Sequence, residues 1–296
     1  MNRRGFLRTT GGAAIIGMGV PAWGGLPASA QGADPLAEQR LPEVAITLTE
    51  AGFEVSPRET PAGWTLVTFE NGLAEGFSGL DLMLLPADQS IADVMALMAT
   101  PVAEAGAPPA WVYDTTWAGG PLATAGESAR AVVNLTAGDW MVWSGGEAYA
   151  GAALTVTAAT AAATAPALTA EVAVEWTEFA FAGLEEPVPA GPRVWKVTNT
   201  GAQPHLMVLF AVPDGTTTDS LLASFMGMMS GTPTPGGLDV EQAQPVGGAG
   251  TLSAGQFAWL SFDLAAGSYG AVCFFPDEAT GAPHLMLGMA TVFTVA

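Results

Sequence analysis

Residues 43–53 read EVAITLTEAGF, and residues 171–181 read EVAVEWTEFAF. The same spacing of 128 residues aligns the PAG at 61–63 with the PAG at 189–191, and ten of the 29 positions from 43 to 71 are identical without a gap. An internal match of this length predicts that the chain contains a duplicated domain.

A second match extends the repeat towards the end of each copy. LTAGDWMVWS at 135–144 aligns with LAAGSYGAVC at 264–273, at a spacing of 129. Between the copies, AATAAATAPALTA at 158–170 is uncharged and aperiodic, which is typical of a linker or of a short ordered crossing between packed domains. We therefore predict one domain at 43–157 and another at 171–296.

Within each copy the local pattern favours β-strands. Segments such as WTLVTFE in the first copy and HLMVLFAV in the second are rich in β-branched and aromatic residues, and Gly, Pro or Asp separates them. One helix is expected at 90–98, where Ser90 and Asp93 form a capping box. A second is expected at 219–229, with an apolar face made of Leu222, Phe225, Met226 and Met229. This pattern predicts an all-β fold of two tandem Greek-key β-sandwich domains, each with one short helix insertion.

The composition is apolar and acidic. Half of the 296 residues are hydrophobic and only 12% are charged, so the chain can bury a sizeable core. Acidic residues outnumber basic ones by 28 to 8, which gives a formal net charge of −20. Such a surface repels nucleic acid and anionic lipid and attracts a basic protein, although the charge equally suits a chain that is merely soluble.

The first 30 residues have the features of an export signal. MNRRGFLRTT contains paired arginines, a mild Gly-rich apolar stretch follows, and Ala28-Ser29-Ala30 is a small-residue cleavage site. Residues 1–30 therefore resemble a twin-arginine signal, which implies export to the periplasm, the cell surface or the medium; an uncleaved anchor is the alternative. Removing its three arginines takes the net charge to about −23. No later apolar run approaches the roughly 20 residues of a membrane span, so no span is expected in the mature chain.

The chain has one cysteine and two histidines, and all three lie in the second copy. Cys273 has no cysteine partner, so it is a buried small hydrophobe, an intermolecular crosslink or a metal ligand. His205 begins an apolar strand, ten residues separate Cys273 from His284, and four separate His284 from Met289. A thiolate, two imidazoles and a weak thioether form a donor set that suits copper cycling between Cu(I) and Cu(II).

These segments resemble a known family. PHLMVLF at 204–210 and AVCFFPDEATGAPHLMLGM at 271–289 are similar to the ligand segments of the cupredoxins, the type 1 (blue) copper proteins. The resemblance covers 171–296 by motif, and the first copy through the internal repeat. It implies one type 1 copper bound by His205, Cys273, His284 and Met289. The gap between the cysteine and the second histidine is longer than in the small electron carriers and closer to that of the copper nitrite reductases.

Several residues near the motif carry further expectations. Met286 is a competing thioether, but in an extended segment it would point differently from Met289, whose spacing matches the family. Asp277 and Glu278 in the ligand loop are expected to be solvated. Leu206 follows the first histidine, where a loop-tying Asn is common in the family. The other methionines of the second copy suit either core packing or a depot for Cu(I).

The first copy is expected to lack the metal site. Ser144 aligns with Cys273, and the position of His205 falls near Phe77 and Ser78. The segment after Ser144 contains neither His nor Met before the linker. The first domain is therefore expected to be a degenerate, cupredoxin-like sandwich that acts as a partner surface, a spacer or a cover.

The histidine count favours a carrier over an enzyme. Once a type 1 site takes both histidines, none remains for a catalytic type 2 copper or a trinuclear centre. We therefore expect an exported, non-enzymatic electron-transfer protein whose redox partner presents a basic docking surface. Copper sequestration or delivery is the alternative, and a metal-free interaction module that keeps the motif as a relic is a third reading.

Overall fold

The computed structural model describes residues 35–99, 107–144, 151–159, 165–230, 234–238 and 243–296. The predicted export signal at 1–30 and the middle of the predicted linker, at 160–164, lie outside the described residues.

The described part of the first copy contains eleven strands and two helices. Its described elements are β1 (Glu43–Thr49), β2 (Gly52–Ser56), β3 (Glu59–Pro61), β4 (Gly63–Asn71), β5 (Phe77–Gly79), β6 (Asp81–Leu84), α1 (Ile91–Ala99), α2 (Trp111–Asp114), β7 (Thr116–Trp117), β8 (Leu122–Thr124), β9 (Ser128–Leu135), β10 (Gly138–Trp143) and β11 (Ala152–Thr157). The second copy continues with β12 (Val172–Thr177), β13 (Ala180–Ala182), β14 (Gly191–Asn199), β15 (His205–Val212), α3 (Thr218–Ser230), β16 (Gln244–Leu252), β17 (Phe257–Leu264), β18 (Gly267–Val272), a 3₁₀ helix (His284–Leu287) and β19 (Ala290–Val295).

The strands form one sheet that runs through both copies and a second sheet in each copy. The shared sheet has the order β13-β12-β14-β17-β9-β4-β1-β2, the first copy adds β3-β11-β10-β6-β7, and the second adds β16-β15-β18-β19. Strands β5 and β8 form a separate pair. Strands such as β1 alternate buried and exposed residues, because one face of each sheet packs on the core. The predicted all-β fold of two tandem sandwiches is confirmed.

The internal repeat is also a repeat of strand register. Strands β1 and β4 are parallel with Val44 opposite Val67, and strands β12 and β14 are parallel with Val172 opposite Trp195. Each residue of the second pair lies 128 positions after its counterpart in the first. Because register decides which side chains face the core, the two copies bury equivalent positions.

A buried asparagine ends the same strand in both copies. The Nδ2 of Asn71 donates to the carbonyl of Ala123 at 3.0 Å, and the Nδ2 of Asn199 donates to the carbonyl of Leu252 at 2.8 Å. In both copies the side-chain oxygen accepts the backbone N–H two residues further on. In the second copy this turn leads directly into β15, the strand that begins at His205.

The two copies are joined at the middle of the shared sheet. Strand β17 pairs antiparallel with β9, with Trp259 opposite Val132 and Leu260 opposite Ala131. One small apolar cluster packs at this junction and draws on both copies; it contains Leu36, Trp64, Leu66, Val132, Val194 and Trp259. Since neither the sheet nor the core is interrupted, the domain limits 43–157 and 171–296 stay a prediction.

Both predicted helices are present, as α1 and α3. The backbone N–H of Ser90 donates to Asp93 Oδ2 at 2.8 Å, as expected for the capping box. The prediction that Met226 lies on the buried face of α3 is wrong: Met226 is 42% exposed, whereas Leu221 and Phe225, one turn apart, are buried. The buried face of α3 is rotated from the predicted one, because the helix packs on the apolar cluster beside the sheet β16-β15-β18-β19. The one-turn helix α2 is an addition that the sequence did not predict, and no described helix is both long and apolar enough to cross a membrane.

Candidate metal centre

Three of the four predicted copper ligands meet in the second domain. The ligand atoms of His205, Cys273 and His284 all lie within 4.8 Å of one another. The two Nδ1 atoms are 2.9 Å apart, and the Sγ of Cys273 lies 3.5 Å from Nδ1 of His284 and 4.0 Å from Nδ1 of His205. All three side chains are completely buried.

Two adjacent antiparallel strands in the sheet β16-β15-β18-β19 place the first histidine beside the cysteine. Strands β15 and β18 pair with Val208 opposite Val272. His205 is the first residue of β15, and Cys273 directly follows the last residue of β18. In an antiparallel pair the start of one strand lies beside the end of the other, so His205 and Cys273 are neighbours in space although they are 68 positions apart in the chain.

A 3₁₀ helix carries the second histidine, so the prediction of an extended segment here is wrong. The helix starts at His284 and is ended by Gly288, whose φ of 107° is one that residues with a Cβ avoid. The turn leaves Met286 47% exposed and Met289 completely buried. Backbone hydrogen bonds join Met289 to both other ligands of the loop: its N–H donates to the carbonyl of His284 at 3.0 Å, and its carbonyl accepts from Cys273 at 3.1 Å.

Asp277 organises the loop between the cysteine and the second histidine, and the prediction that it is solvated is wrong. Only 5% of it is exposed, while Glu278 is exposed as expected. Its carboxylate accepts hydrogen bonds from Gln203 Nε2 at 3.0 Å and from the Thr280 N–H at 2.9 Å. Burial opposes ionisation of Asp277, but these donors hold its pKa below the usual value. Because Gln203 lies two residues before His205, this contact ties the loop to the ligand strand.

The cysteine is held as a buried thiol. Burial raises the pKa of Cys273 to about 12, although backbone N–H groups of Leu206 and Phe275 act in the opposite direction. The Leu206 N–H lies 3.4 Å from the sulfur. A thiol in this setting stays protonated until a cation replaces the proton, which is how a metal generates its thiolate ligand.

The imidazoles are held in the neutral form that metals require. Burial lowers the pKa of His205, and burial followed by repulsion from His205 lowers the pKa of His284 to about 3. In each ring Nδ1 faces the other imidazole and the sulfur, while Nε2 is buried and has no hydrogen-bond partner among the described residues. Two neutral imidazoles and a thiol that converge in this way fit a soft, thiophilic cation such as copper.

The turn between β12 and β13 covers both imidazoles, which the sequence did not predict. Glu178 Oε1 lies 3.5 Å from Nε2 of His205, and the ring of Phe179 lies edge-on to that of His284 with 5.0 Å between centroids. Phe179 has a φ of 61°, the one positive value for a non-glycine among the described residues. A bulky side chain at such a φ is strained, and strain of this kind gathers at functional sites.

The first domain touches the ligand loop. Phe275 lies between Cys273 and His284 in the chain, and its ring meets Tyr113 and Trp117 edge-on at 5.9 and 5.7 Å. The Tyr113 hydroxyl also donates to the carbonyl of the next loop residue, Pro276, at 3.3 Å. Three roles were expected for the first domain: a partner surface, a spacer or a cover. These direct contacts favour the role of a cover over the ligand loop.

A pair of serines occupies the corresponding place in the first domain. The register of β6 with β10, compared with that of β15 with β18, makes Ser78 the counterpart of His205 and Ser144 the counterpart of Cys273. Both serines are buried, and their Oγ atoms lie 2.5 Å apart. Residues 145–150 lie outside the described residues; within the described part of the chain, the cluster in the second domain is the one group of potential metal ligands.

No protein-family model and no curated protein matches the chain. Among solved structures, auracyanin from the photosynthetic bacterium Roseiflexus castenholzii is 22% identical over 43% of this chain and 98% of its own, with a TM-score of 0.29. Auracyanin A, a blue copper protein from Chloroflexus aurantiacus, is 20% identical over 42% of this chain and 98% of its own, with a TM-score of 0.28.

A copper nitrite reductase from Nitrosomonas europaea is 11% identical over 86% of this chain and 93% of its own, with a TM-score of 0.24. Identities and TM-scores this low say nothing about what the present chain does. The tandem sandwiches and the buried His-Cys-His cluster of the present chain fit the cupredoxin fold and a type 1 copper site.

Proposed function

We propose that this protein is an exported electron carrier with one type 1 copper in its second domain. The observation that carries the proposal is the convergence of two neutral imidazoles and a thiol within 4.8 Å in a fully buried position. His205, Cys273 and His284 would hold the copper, and the thioether of Met289 would be a fourth, weak ligand. Copper held by this set supplies a one-electron couple between Cu(I) and Cu(II).

Burial of the ligands favours electron transfer over catalysis. All four proposed ligands are completely buried, so a substrate has no direct path to an open position on the metal. An electron needs no such position, whereas catalytic metal sites keep one for water or substrate. Both histidines of the chain belong to the proposed site, so no imidazole is left for a second copper.

The surface next to the second histidine suits a docking partner. Met286 and Leu287, which lie two and three residues after His284 in the 3₁₀ helix, are 47% and 39% exposed. Two adjacent exposed apolar side chains beside the proposed site would suit contact with a docking partner. With a formal net charge of −20, the chain would attract a redox partner whose docking surface is basic.

Spectroscopy on the copper-loaded mature chain tests the proposal. Wild type is expected to show an intense visible thiolate-to-copper absorption band and the paramagnetic spectrum of a type 1 site. Cys273→Ser should abolish the band and keep the circular dichroism of the fold, because Ser and Cys have similar volumes. Ser144→Ala, at the counterpart position in the first domain, should keep the band. A colourless Cu(II) adduct of the wild type rejects the proposal.

Copper sequestration or delivery is the second candidate function. It is favoured by the exposed thioethers of Met226 and Met286, since soft sulfur donors select Cu(I). Redox titration separates the two functions. A reversible couple with fast self-exchange supports the carrier, and tight Cu(I) binding without a reversible couple supports sequestration or delivery. Metal analysis of the isolated protein tests the third reading, a metal-free module.

Export by the twin-arginine route is part of the proposal. It rests on the paired arginines Arg3 and Arg4 and on the small residues Ala28-Ser29-Ala30. Changing both arginines to lysine should leave the precursor inside the cell, as cell fractionation would measure. Export that continues unchanged would contradict this route.

A further inference from the structure

Glu178 is anchored by the backbone beside a proposed copper ligand. Its Oε1 accepts the N–H groups of Ala202 at 2.5 Å and Gln203 at 2.9 Å. The same oxygen lies 3.5 Å from Nε2 of His205. Two donors of the backbone therefore fix a carboxylate at the outer edge of the imidazole.

Gly201 leaves room for this carboxylate. A Cβ at position 201 would lie 2.5 Å from Glu178 Oε1, well inside van der Waals contact. Gly201 is not among the glycines with positive φ, so its backbone conformation is open to any residue. The absence of a side chain at position 201 therefore leaves space for the carboxylate of Glu178, whereas the backbone of the turn does not require glycine.

The first domain supplies an internal comparison. Its turn between β1 and β2 has the same register as the turn between β12 and β13, and Glu50 is the counterpart of Glu178. The residue that corresponds to Gly201, however, is Leu73, and Glu50 is exposed. Both sandwiches thus have the glutamate, but the domain with the His-Cys-His cluster also has the space that lets the glutamate reach a histidine. This arrangement accompanies the candidate metal site and is not a general feature of the fold.

His205 needs a partner at this edge. Its Nδ1 faces the other predicted ligands, so the ring proton is carried on Nε2, which is buried and has no hydrogen-bond partner within the described residues. Histidines that bind metals commonly donate their second N–H to a carboxylate, which fixes the ring orientation and increases the basicity of the ligand. The oxygen of Glu178 faces that nitrogen.

We propose that Glu178 is a positioning residue of the copper centre, which accepts the Nε2–H of His205 and places a negative charge beside the metal. The proposal rests on the function proposed above. The carboxylate orients the first imidazole before copper binds. Its charge stabilises Cu(II) more than Cu(I), because the more highly charged ion interacts more strongly with it.

Three variants separate charge, position and fold. Glu178→Gln keeps an oxygen for the N–H groups of Ala202 and Gln203 but removes the charge. Gly201→Ala keeps the charge but displaces the carboxylate. Glu50→Gln is the matched control, since it makes the same change in the turn of the first domain.

The expected results follow from the two effects. Glu178→Gln should weaken Cu(II) binding by about 10- to 100-fold and raise the reduction potential, with Cu(I) binding much less affected. A tenfold loss specific to Cu(II) corresponds to about 59 mV for one electron. Gly201→Ala should shift the potential in the same direction, and the His205 Nε2 proton should exchange faster in the NMR spectrum of its Cu(I) form. Glu50→Gln should match wild type in all respects.

The outcomes distinguish this inference from the function on which it rests. Wild type without a thiolate-to-copper band would overturn the proposed function. Wild type with the band, together with Glu178→Gln and Gly201→Ala proteins that keep its potential and bind Cu(II) within twofold of it, would overturn the role of Glu178 alone. If Glu178→Gln does not fold, Gly201→Ala decides, because it alters only the far end of a flexible side chain.

Discussion

The hydroxyl oxygens of Ser78 and Ser144 lie 2.5 Å apart in the interior of the first domain, at the places that His205 and Cys273 occupy in the second. In the first domain, two small polar side chains therefore occupy the place that corresponds to the metal site. Buried polar groups are costly unless they are hydrogen-bonded, and here each hydroxyl has the other as a partner.

Replacing one of these serines should destabilise the first domain. Ser78→Ala removes a hydrogen bond of the buried Ser144 hydroxyl, so we expect a loss of about 1–3 kcal/mol in the free energy of unfolding. The double variant with Ser144→Ala should lose less than the sum of the single losses, because it removes both polar groups. Urea unfolding of the metal-free protein measures this, with the copper spectrum as the control. Strictly additive losses would contradict the pairing.

Met289 and Met286 form a matched pair that tests which thioether is the fourth ligand. Met289→Leu keeps the buried volume but removes the thioether, which should raise the reduction potential, because Cu(II) loses a weak donor in a site that becomes more apolar. Met286→Leu changes an exposed side chain and should leave the potential at the wild-type value. Redox titration of both variants is the measurement. A shift in Met286→Leu alone would reassign the thioether ligand to Met286.

Asp81 makes the stability of the protein depend on pH. It lies in the first domain and accepts the N–H of Thr251, in the second, at 2.5 Å. Burial raises its pKa from 3.8 to about 6, although the hydrogen bonds from Thr251 lower it. Between these values the folded state binds the proton more tightly than the unfolded state does. The stabilisation from this group is therefore complete below 3.8 and is lost as the pH rises through about 6.

Asp81→Asn should remove this dependence. The free energy of unfolding of the variant, relative to wild type, should increase from about pH 4 to about pH 7 and then stay constant. Urea unfolding at both pH values measures the difference. Asp88→Asn, on an exposed residue in the segment after β6, is the control. A difference that does not change with pH would show that Asp81 has its ordinary affinity for protons in the folded state.

We expect Phe179 to shield the copper site from small anions, although its turn conformation is strained. With a φ of 61° it occupies a turn position that favours glycine. Phe179→Gly should relieve roughly 1 kcal/mol of strain and lose packing on His284, so the stability of the metal-free protein should change little. Azide should then perturb the visible spectrum of the variant but not that of wild type. Ala51→Gly, in the matching turn of the first domain, is the control, and a Phe179→Gly protein insensitive to azide would contradict a covering role.

The duplicated fold was predictable because the repeat preserves both spacing and register. Val44 in β1 and Val172 in β12 are matching positions, and the strand ends at Asn71 and Asn199 follow them at the same distance. The convergence of the histidines and the cysteine was predictable because three scarce residue types occur in one copy in a recognisable order. That these side chains bind copper, with Met289 as the fourth ligand, stays a prediction.

Other features depend on contacts that no local pattern reveals. Asp277 lies in a polar loop, yet it is buried because Gln203, 74 residues earlier, reaches its carboxylate. The contact between Glu178 and His205 depends on the space left by Gly201, whereas Glu50, at the corresponding place in the first domain, is exposed. The 3₁₀ helix at His284 was missed because the turn follows from the backbone bonds of the closed loop rather than from helical periodicity.

The junction between β17 and β9 makes the two sandwiches dependent on each other. A fragment that begins after the linker and contains the second domain alone would present the edge of β17, with Trp259 beside it, to solvent and to its own copies. Unpaired strand edges invite association between molecules, and natural proteins cover them. The first sandwich is such a covering, so we expect a chain cut in two to yield a second-domain fragment that associates with itself.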